Sequence, residues 1–200
     1  MPDPRLLLAS TSSTRQRLLQ AAGLQFRSVA PRVDEEALRL ALEAEGTTPF
    51  AIADALAEAK ALKIGARNPS SLVIGCDQTL DLDGACLSKP EDRDAARRQL
   101  LSLRGRRHRL HAAAVIAEGG RPVWRHTASA TLSVRPFSEA WLDGYLDRNW
   151  PSVAGSAGAY HVEGEGVQLF DRIDGDWFAI LGLPLVQMVT YLMDRGEIPA

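Results

Sequence analysis

The feature that most limits what this chain can fold into is a pair of short apolar runs, each ending abruptly in polar residues. Leu6-Leu7-Leu8-Ala9 stops at Ser10-Thr11-Ser12-Ser13, and the run over 72–76 stops at Asp77. Runs this short and this apolar read as buried strands. The first feeds an amphipathic helix carrying Leu18, Leu19 and Ala22, with Gly23 placed to end it. A second strand is expected over 26–29, ended by Pro31, and a charged helix from near Asp34. Thr48-Pro49 supplies a cap and a first-turn proline for a long helix to about Ala66, with Ile52, Leu56 and Ala59 at helical spacing. Residues 80–87 alternate around Asp83-Gly84, a hairpin pattern.

Lys89-Pro90 breaks that pattern, and a helix over about 92–103 carries Ala96, Leu100 and Leu103. Two long strands, 109–117 and 123–134, join at Gly119-Gly120. Ser138 caps a helix to about Asn149. Residues 151–166 read as an ordered functional loop, 167–173 as a strand, and a last helix opens at Leu183 or Pro184 and reaches Arg195. Early alternation of helix and strand, followed by an antiparallel pair, argues a mixed-sheet α/β protein.

A chain of 200 residues forms one domain, or two lobes sharing a cleft, so 1–200 is read as a single domain. Its net charge of −2 gives no global attraction to nucleic acid or an anionic membrane. Cys76 and Cys86 lack CxxC or metal-knuckle spacing and read as buried free thiols. Residues 1–5 are polar and Pro-containing, without the basic and long apolar regions of an export signal. No segment approaches the ~18 apolar residues of a membrane span. Cytoplasmic residence is the expectation.

Chemistry-bearing residues gather at the predicted strand ends. Ser10 to Arg15 place hydroxyls, backbone N–H groups and one guanidinium at a helix N-terminus, a setting that caps helices everywhere and also binds anions. Asp77, at the expected carboxyl end of its strand, is either a turn former or an acid that holds a metal or deprotonates water. Glu35, after Asp34, suits a helix dipole as well as a cation. Lys60 lies at the edge of its helix's apolar stripe, where a lysine either snorkels or reaches a phosphate. Lys89 precedes Pro90, which holds it extended and aims its ammonium. Acids for a metal, cations for phosphate and an activated water are together what phosphoanhydride hydrolysis requires.

The ordered set resembles Maf proteins. Leu8-Ala9-Ser10-Thr11-Ser12, then Arg15 and Leu18-Leu19, is similar to their opening LASxSxxRxxLL. Val33-Asp34-Glu35, Ala57-Glu58-Ala59-Lys60-Ala61, Ile74-Gly75-Cys76-Asp77-Gln78 and Lys89-Pro90 resemble later elements of that family. So do Ala96, Leu100, Leu103, Gly105 and His108, then Gly158-Ala159-Tyr160, Glu163-Gly164 and Gly182-Leu183-Pro184-Leu185. The resemblance implies an elongated mixed-sheet α/β fold related to inosine-triphosphatase-like enzymes, with two lobes around a central nucleotide cleft. It implies hydrolysis of a nucleoside triphosphate to monophosphate and pyrophosphate with Mg²⁺ or Mn²⁺, by a homodimer that removes surplus or non-standard nucleotides. By matching position, Asp77 would activate water and join Glu35 as metal ligand, while Ser10, Arg15, Lys60 and Lys89 would hold the triphosphate.

Departures from the family pattern bear on the base. Ser13-Thr14-Arg15-Gln16 replaces the Pro-Arg-Arg stretch and keeps one arginine. Gln78 and Glu163 stand where dTTP/UTP-type members carry Thr and Gln, and resemble the branch acting on 7-methylguanosine triphosphate. That branch carries Trp at the position of Thr14, so either another aromatic, such as Tyr160, stacks on a cationic purine or the base preference differs. Two other functional classes compete with this one. A non-catalytic nucleotide-binding regulator of septum formation would lack some of the acids and cations kept here. A nucleic-acid module would use Arg104, Arg106, Arg107 and Arg109, although charge runs are usually solvated surface.

Overall fold

The computed structural model describes residues 5–199, so the polar start expected over 1–4 lies outside the described residues. In chain order the elements are β1 (Leu6–Ala9), α1 (Ser13–Ala21), β2 (Arg27–Ser28), α2 (Glu35–Ala44), α3 (Pro49–Gly65), β3 (Leu72–Leu82) and β4 (Ala85–Leu87). They continue with α4 (Arg93–Leu103), β5 (Arg107–Glu118), β6 (Arg121–Val134), α5 (Glu139–Asn149), β7 (Phe170–Gly175), α6 (Trp177–Ile180) and α7 (Leu185–Asp194). Helix starts fall where the capping residues predict. Ser12, Asp34, Thr48, Asp92 and Ser138 each accept a hydrogen bond from the backbone N–H three residues on.

The seven strands form one mixed sheet in the order β2-β1-β3-β5-β6-β7, with β4 also paired to β3. β2, β1 and β3 run parallel, and β3, β5, β6 and β7 pair antiparallel. The sheet is elongated along β5 and β6, 12 and 14 residues long, or roughly 40 Å at the usual rise per residue.

One face of this sheet carries two separate cores. Leu72, Ile74 and Cys76 of β3 pack with Leu19, Leu183 and Met188 under α1 and α7. Farther along the same strand, Leu80 and Leu82 pack with Leu100, Leu142 and Tyr145 under α4 and α5. Between the two cores the sheet bears small side chains: Ala112 and Ala128, touched by Ala179 of α6. A waist follows from the sequence here, because alanine leaves no bulk to fill the space between helices. The other face is covered by α3, whose Ala53, Ala57 and Ala61 lie against Ala113, Val115 and Ala117.

Some boundaries differ from expectation. β3 does not stop at Asp77 but continues to Leu82. β2 is shorter than the strand expected over 26–29. The strand expected over 167–173 begins at Phe170, because Glu165–Leu169 coils into a 3₁₀ turn with Gly166 pressed on the His161 backbone. Ala59 is half-exposed, and the buried stripe of α3 runs through Lys60 instead. Cys76 is fully buried, whereas Cys86 is only half-buried; both are free. No helix among the described residues is long and apolar enough to cross a membrane.

Candidate active site at a notch in the sheet

One edge of β3 is shared by two short strands. β1 pairs with it over 72–75, and β4 over 80–82, while β5 occupies the other edge. Residues 76–79 are therefore left without a strand partner on the first edge. Both short strands point their carboxyl ends into this notch. β1 delivers Ser10 directly after the Ala9–Gly75 pair, and β4 delivers Ser88 and Lys89 directly after the Leu87–Leu80 pair. This is the crevice beyond strand ends where open α/β sheets take ligands. Asp77 thus sits mid-strand rather than at a strand terminus, yet still at the end of the parallel pairing.

The notch is filled by cations drawn from both faces. Lys60, buried on α3, brings its Nζ to 2.6 Å from Asp77 Oδ1, 2.8 Å from Glu35 Oε2 and 3.5 Å from the Cys76 carbonyl. This lysine does not snorkel: its ammonium is buried along with its stem. Arg15, on the first turn of α1 at the opposite face, donates Nε to the Gly182 carbonyl at 2.8 Å and Nη1 to the Cys76 carbonyl at 3.1 Å. Its guanidinium ties α1 to β3 and to the turn before α7. Ser10 is buried, and its Oγ accepts from the Ser12 N–H at 3.2 Å. Burial pushes the Asp77 carboxyl above the usual carboxylate range, opposed by the charges of Lys60 and Arg15. Burial likewise pushes the neighbouring Cys76 thiol up to about 11, which leaves it an inert packing residue.

Gly75, to which the sequence alone assigns no structural role, makes this geometry possible. A Cβ there would lie 2.1 Å from the Ala57 carbonyl oxygen, so only glycine lets α3 rest on β3 and carry Lys60 to Asp77. An isolated glycine inside an apolar strand pattern is the sign that could have exposed it. The β3–β4 hairpin is pinned on the same face. Asp81 Oδ1 accepts from the Gly84 N–H at 2.7 Å, and both turn residues, Asp83 and Gly84, have positive φ. The hairpin in turn sets where Lys89 emerges, exposed and without an ion-pair partner among the described residues.

The residues tied to base preference lie on the waist side. Gln78 alternates to the face opposite Asp77, and its Nε2 donates to the Ala179 and Ile180 carbonyls at 2.7 and 3.0 Å. That fixes the amide against α6, a short helix absent from the sequence reading. Thr14 is half-buried on the first turn of α1. Glu163 stands 3.7 Å from Arg17 of α1, so a loop packed with one core faces a helix of the other. Tyr160 cannot supply the missing stacking surface. It is buried, its hydroxyl 2.6 Å from His108 Nε2 and its ring edge-on to Phe170. The arginine run is dispersed: Arg106 pairs with Asp83, Arg104 donates to the Phe137 carbonyl, and Arg109 lies 3.9 Å from Asp81.

This arrangement, a buried carboxylate paired with Lys60 in a sheet-edge notch whose Cys76 carbonyl also holds Arg15, coincides with a sequence match over residues 5–195 to the family described as Maf-like protein. The chain belongs to that family. Among relatives of this Maf-like chain, a Caulobacter vibrioides protein called nucleoside triphosphate pyrophosphatase is 54% identical, covering 96% of each chain. A Jannaschia protein, nucleoside triphosphate pyrophosphatase 1, is 53% identical over 97% of this chain and 98% of its own. A Brucella abortus protein called 7-methyl-GTP pyrophosphatase is 43% identical over 94% of each.

Proposed function

We infer that the chain is a nucleoside triphosphate pyrophosphatase that breaks the α–β phosphoanhydride bond at the notch in β3. The observation that carries this reading is Asp77: a buried acid, raised in basicity by burial, yet held beside Lys60 and Arg15. Burial makes this carboxylate more basic than a solvated one, while the charges of Lys60 and Arg15 favour its ionised form. The names of the relatives support the substrate class.

In this mechanism the phosphates enter the notch from the waist, and the base rests between the two cores near Thr14, Gln78 and Glu163. Asp77 takes a proton from a water molecule as the water oxygen bonds to the α-phosphorus. The bridging oxygen leaves with pyrophosphate, and Lys60, Arg15, Lys89 and the Ser10 hydroxyl hold the charged oxygens. Glu35 and Asp77 converge on one point, now occupied by Lys60 Nζ, and among the described residues no group of three metal-ligating side chains forms. Glu35 and Asp77, two carboxylates, would hold a hard ion of the Mg²⁺ or Mn²⁺ type. When bound, such an ion supplies neutralising charge to the phosphate oxygens.

Glu163 and Gln78, an acceptor and an amide fixed against α6, suit a guanine-like edge, while Tyr160, buried, does not replace the tryptophan of the 7-methylguanosine triphosphate branch, which points to a different base preference. Asp77→Asn is expected to lower kcat by about 10²-fold or more, the usual scale for a general base, while a non-hydrolysable triphosphate still binds. Pyrophosphate release across a nucleotide panel measures the first, and calorimetry the second. An active Asp77→Asn enzyme would refute the role given to Asp77.

A further inference from the structure

We propose that Lys60 is the resident counter-cation of the Glu35–Asp77 pair and that a divalent ion joins the site only in company with the triphosphate. This deepens the hydrolase reading above and rests on it. Lys60 Nζ donates to Asp77 Oδ1 at 2.6 Å and to the Cys76 carbonyl at 3.5 Å, and it forms an ion pair with Glu35 Oε2 at 2.8 Å. Two carboxylates and a carbonyl form the oxygen cage that a small hard cation would otherwise take.

The charge balance points the same way. Glu35 and Asp77 are offset by Lys60 and by Arg15, whose guanidinium is held on the same Cys76 carbonyl. A free dication entering this site would meet no net negative charge. It would have to expel a buried ammonium whose oxygen partners all lie in the notch, and an unpaired buried charge is costly. A triphosphate changes both terms. It brings several negative charges, and it offers the ammonium a new set of oxygens within reach of its flexible four-carbon stem. Rotation of that stem toward the phosphates frees Glu35 and Asp77 for the ion. It also removes the ammonium from the oxygen of Asp77 that must take the water's proton.

The test is Mn²⁺ titration of the full chain, reading free aqueous Mn²⁺ by electron paramagnetic resonance, with and without an α,β-methylene nucleoside triphosphate. The wild-type protein alone should bind Mn²⁺ at least about tenfold more weakly than the protein with analogue. Lys60→Met keeps the apolar stem and removes the charge. It should gain Mn²⁺ binding without analogue by on the order of tenfold or more, and adding Glu35→Gln should cancel the gain. Equal Mn²⁺ affinity of the wild type with and without a bound analogue overturns the proposal, as does a folded Lys60→Met protein with no gain. If Lys60→Met does not fold, the wild-type comparison decides alone. An analogue that fails to bind in calorimetry overturns the hydrolase reading itself, a result distinct from either of these.

Discussion

Gly75→Ala adds one carbon where α3 lies directly on β3. The new Cβ would stand 2.1 Å from the Ala57 carbonyl oxygen, 2.5 Å from the Ala61 nitrogen and 2.9 Å from the Ala61 Cβ. Two of those three atoms are helix backbone, so no flexible tip can swing aside. Restoring the shortest contact to about 3.2 Å requires α3 to lift by about 1 Å or β3 to bend away. Overpacking of this sort costs about 1–3 kcal/mol, and rigid backbone partners place it at the upper end. For a chain of this size, about 3 kcal/mol lowers Tm by roughly 6–12 °C. Lys60 travels with α3 and loses its 2.6 Å contact to Asp77. A displacement near 1 Å in a catalytic arrangement lowers rate by about 10²-fold. Thermal melting and steady-state pyrophosphate release measure the two effects. A Gly75→Ala protein with wild-type Tm and kcat/KM would refute the argument that α3 must be seated this closely. A lowered Tm with unchanged kcat/KM would separate the packing from the site.

Lys89→Ala should leave stability within about 0.5 kcal/mol, since the side chain is exposed and has no ion-pair partner among the described residues, while kcat/KM falls by about tenfold through lost phosphate contact; unchanged kinetics would remove Lys89 from the pocket. Glu163→Gln should shift preference toward pyrimidine triphosphates, read as kcat/KM across a nucleotide panel, and an unaltered ranking would contradict the assignment. His108 is pushed down to about 4 by burial from an ordinary 6.5. Its folded-state pKa is the lower one, so the stability tied to its neutral form is complete above pH 6.5 and is lost as pH falls from 6.5 toward 4. The loss amounts to about 3 kcal/mol, and His108→Gln should remove that part of the pH dependence of urea unfolding midpoints. Identical pH slopes for the two proteins would show that His108 stays out of the linkage.

Much of the fold was legible because it is written in local chemistry. A cap residue and the N–H three positions on are neighbours in the chain, so Ser12, Thr48 and Ser138 announce their helices without tertiary help. The Asp83-Gly84 hairpin and the long 109–117 and 123–134 pair were legible for the same reason. Candidate site residues were recognisable as residue types in order. Their meeting was not, since nothing in the spacing of Glu35, Lys60 and Asp77 says that one ammonium touches both acids.

Sequence alone settled the alternation of strand and helix, the caps and the inventory of acids and cations, because each depends on contacts a few residues apart. Tertiary structure decided the rest. Asp77 and Gln78 stay inside a strand because distant groups satisfy them: Lys60 across the α3 face, and the carbonyls of Ala179 and Ile180, 101 and 102 positions on. Tyr160 looks like an accessible aromatic in a glycine-rich stretch, and it is buried against His108 and Phe170, from β5 and β7. The notch itself exists only because two short strands share one edge of a longer one, and strand pairing joins residues far apart in the chain.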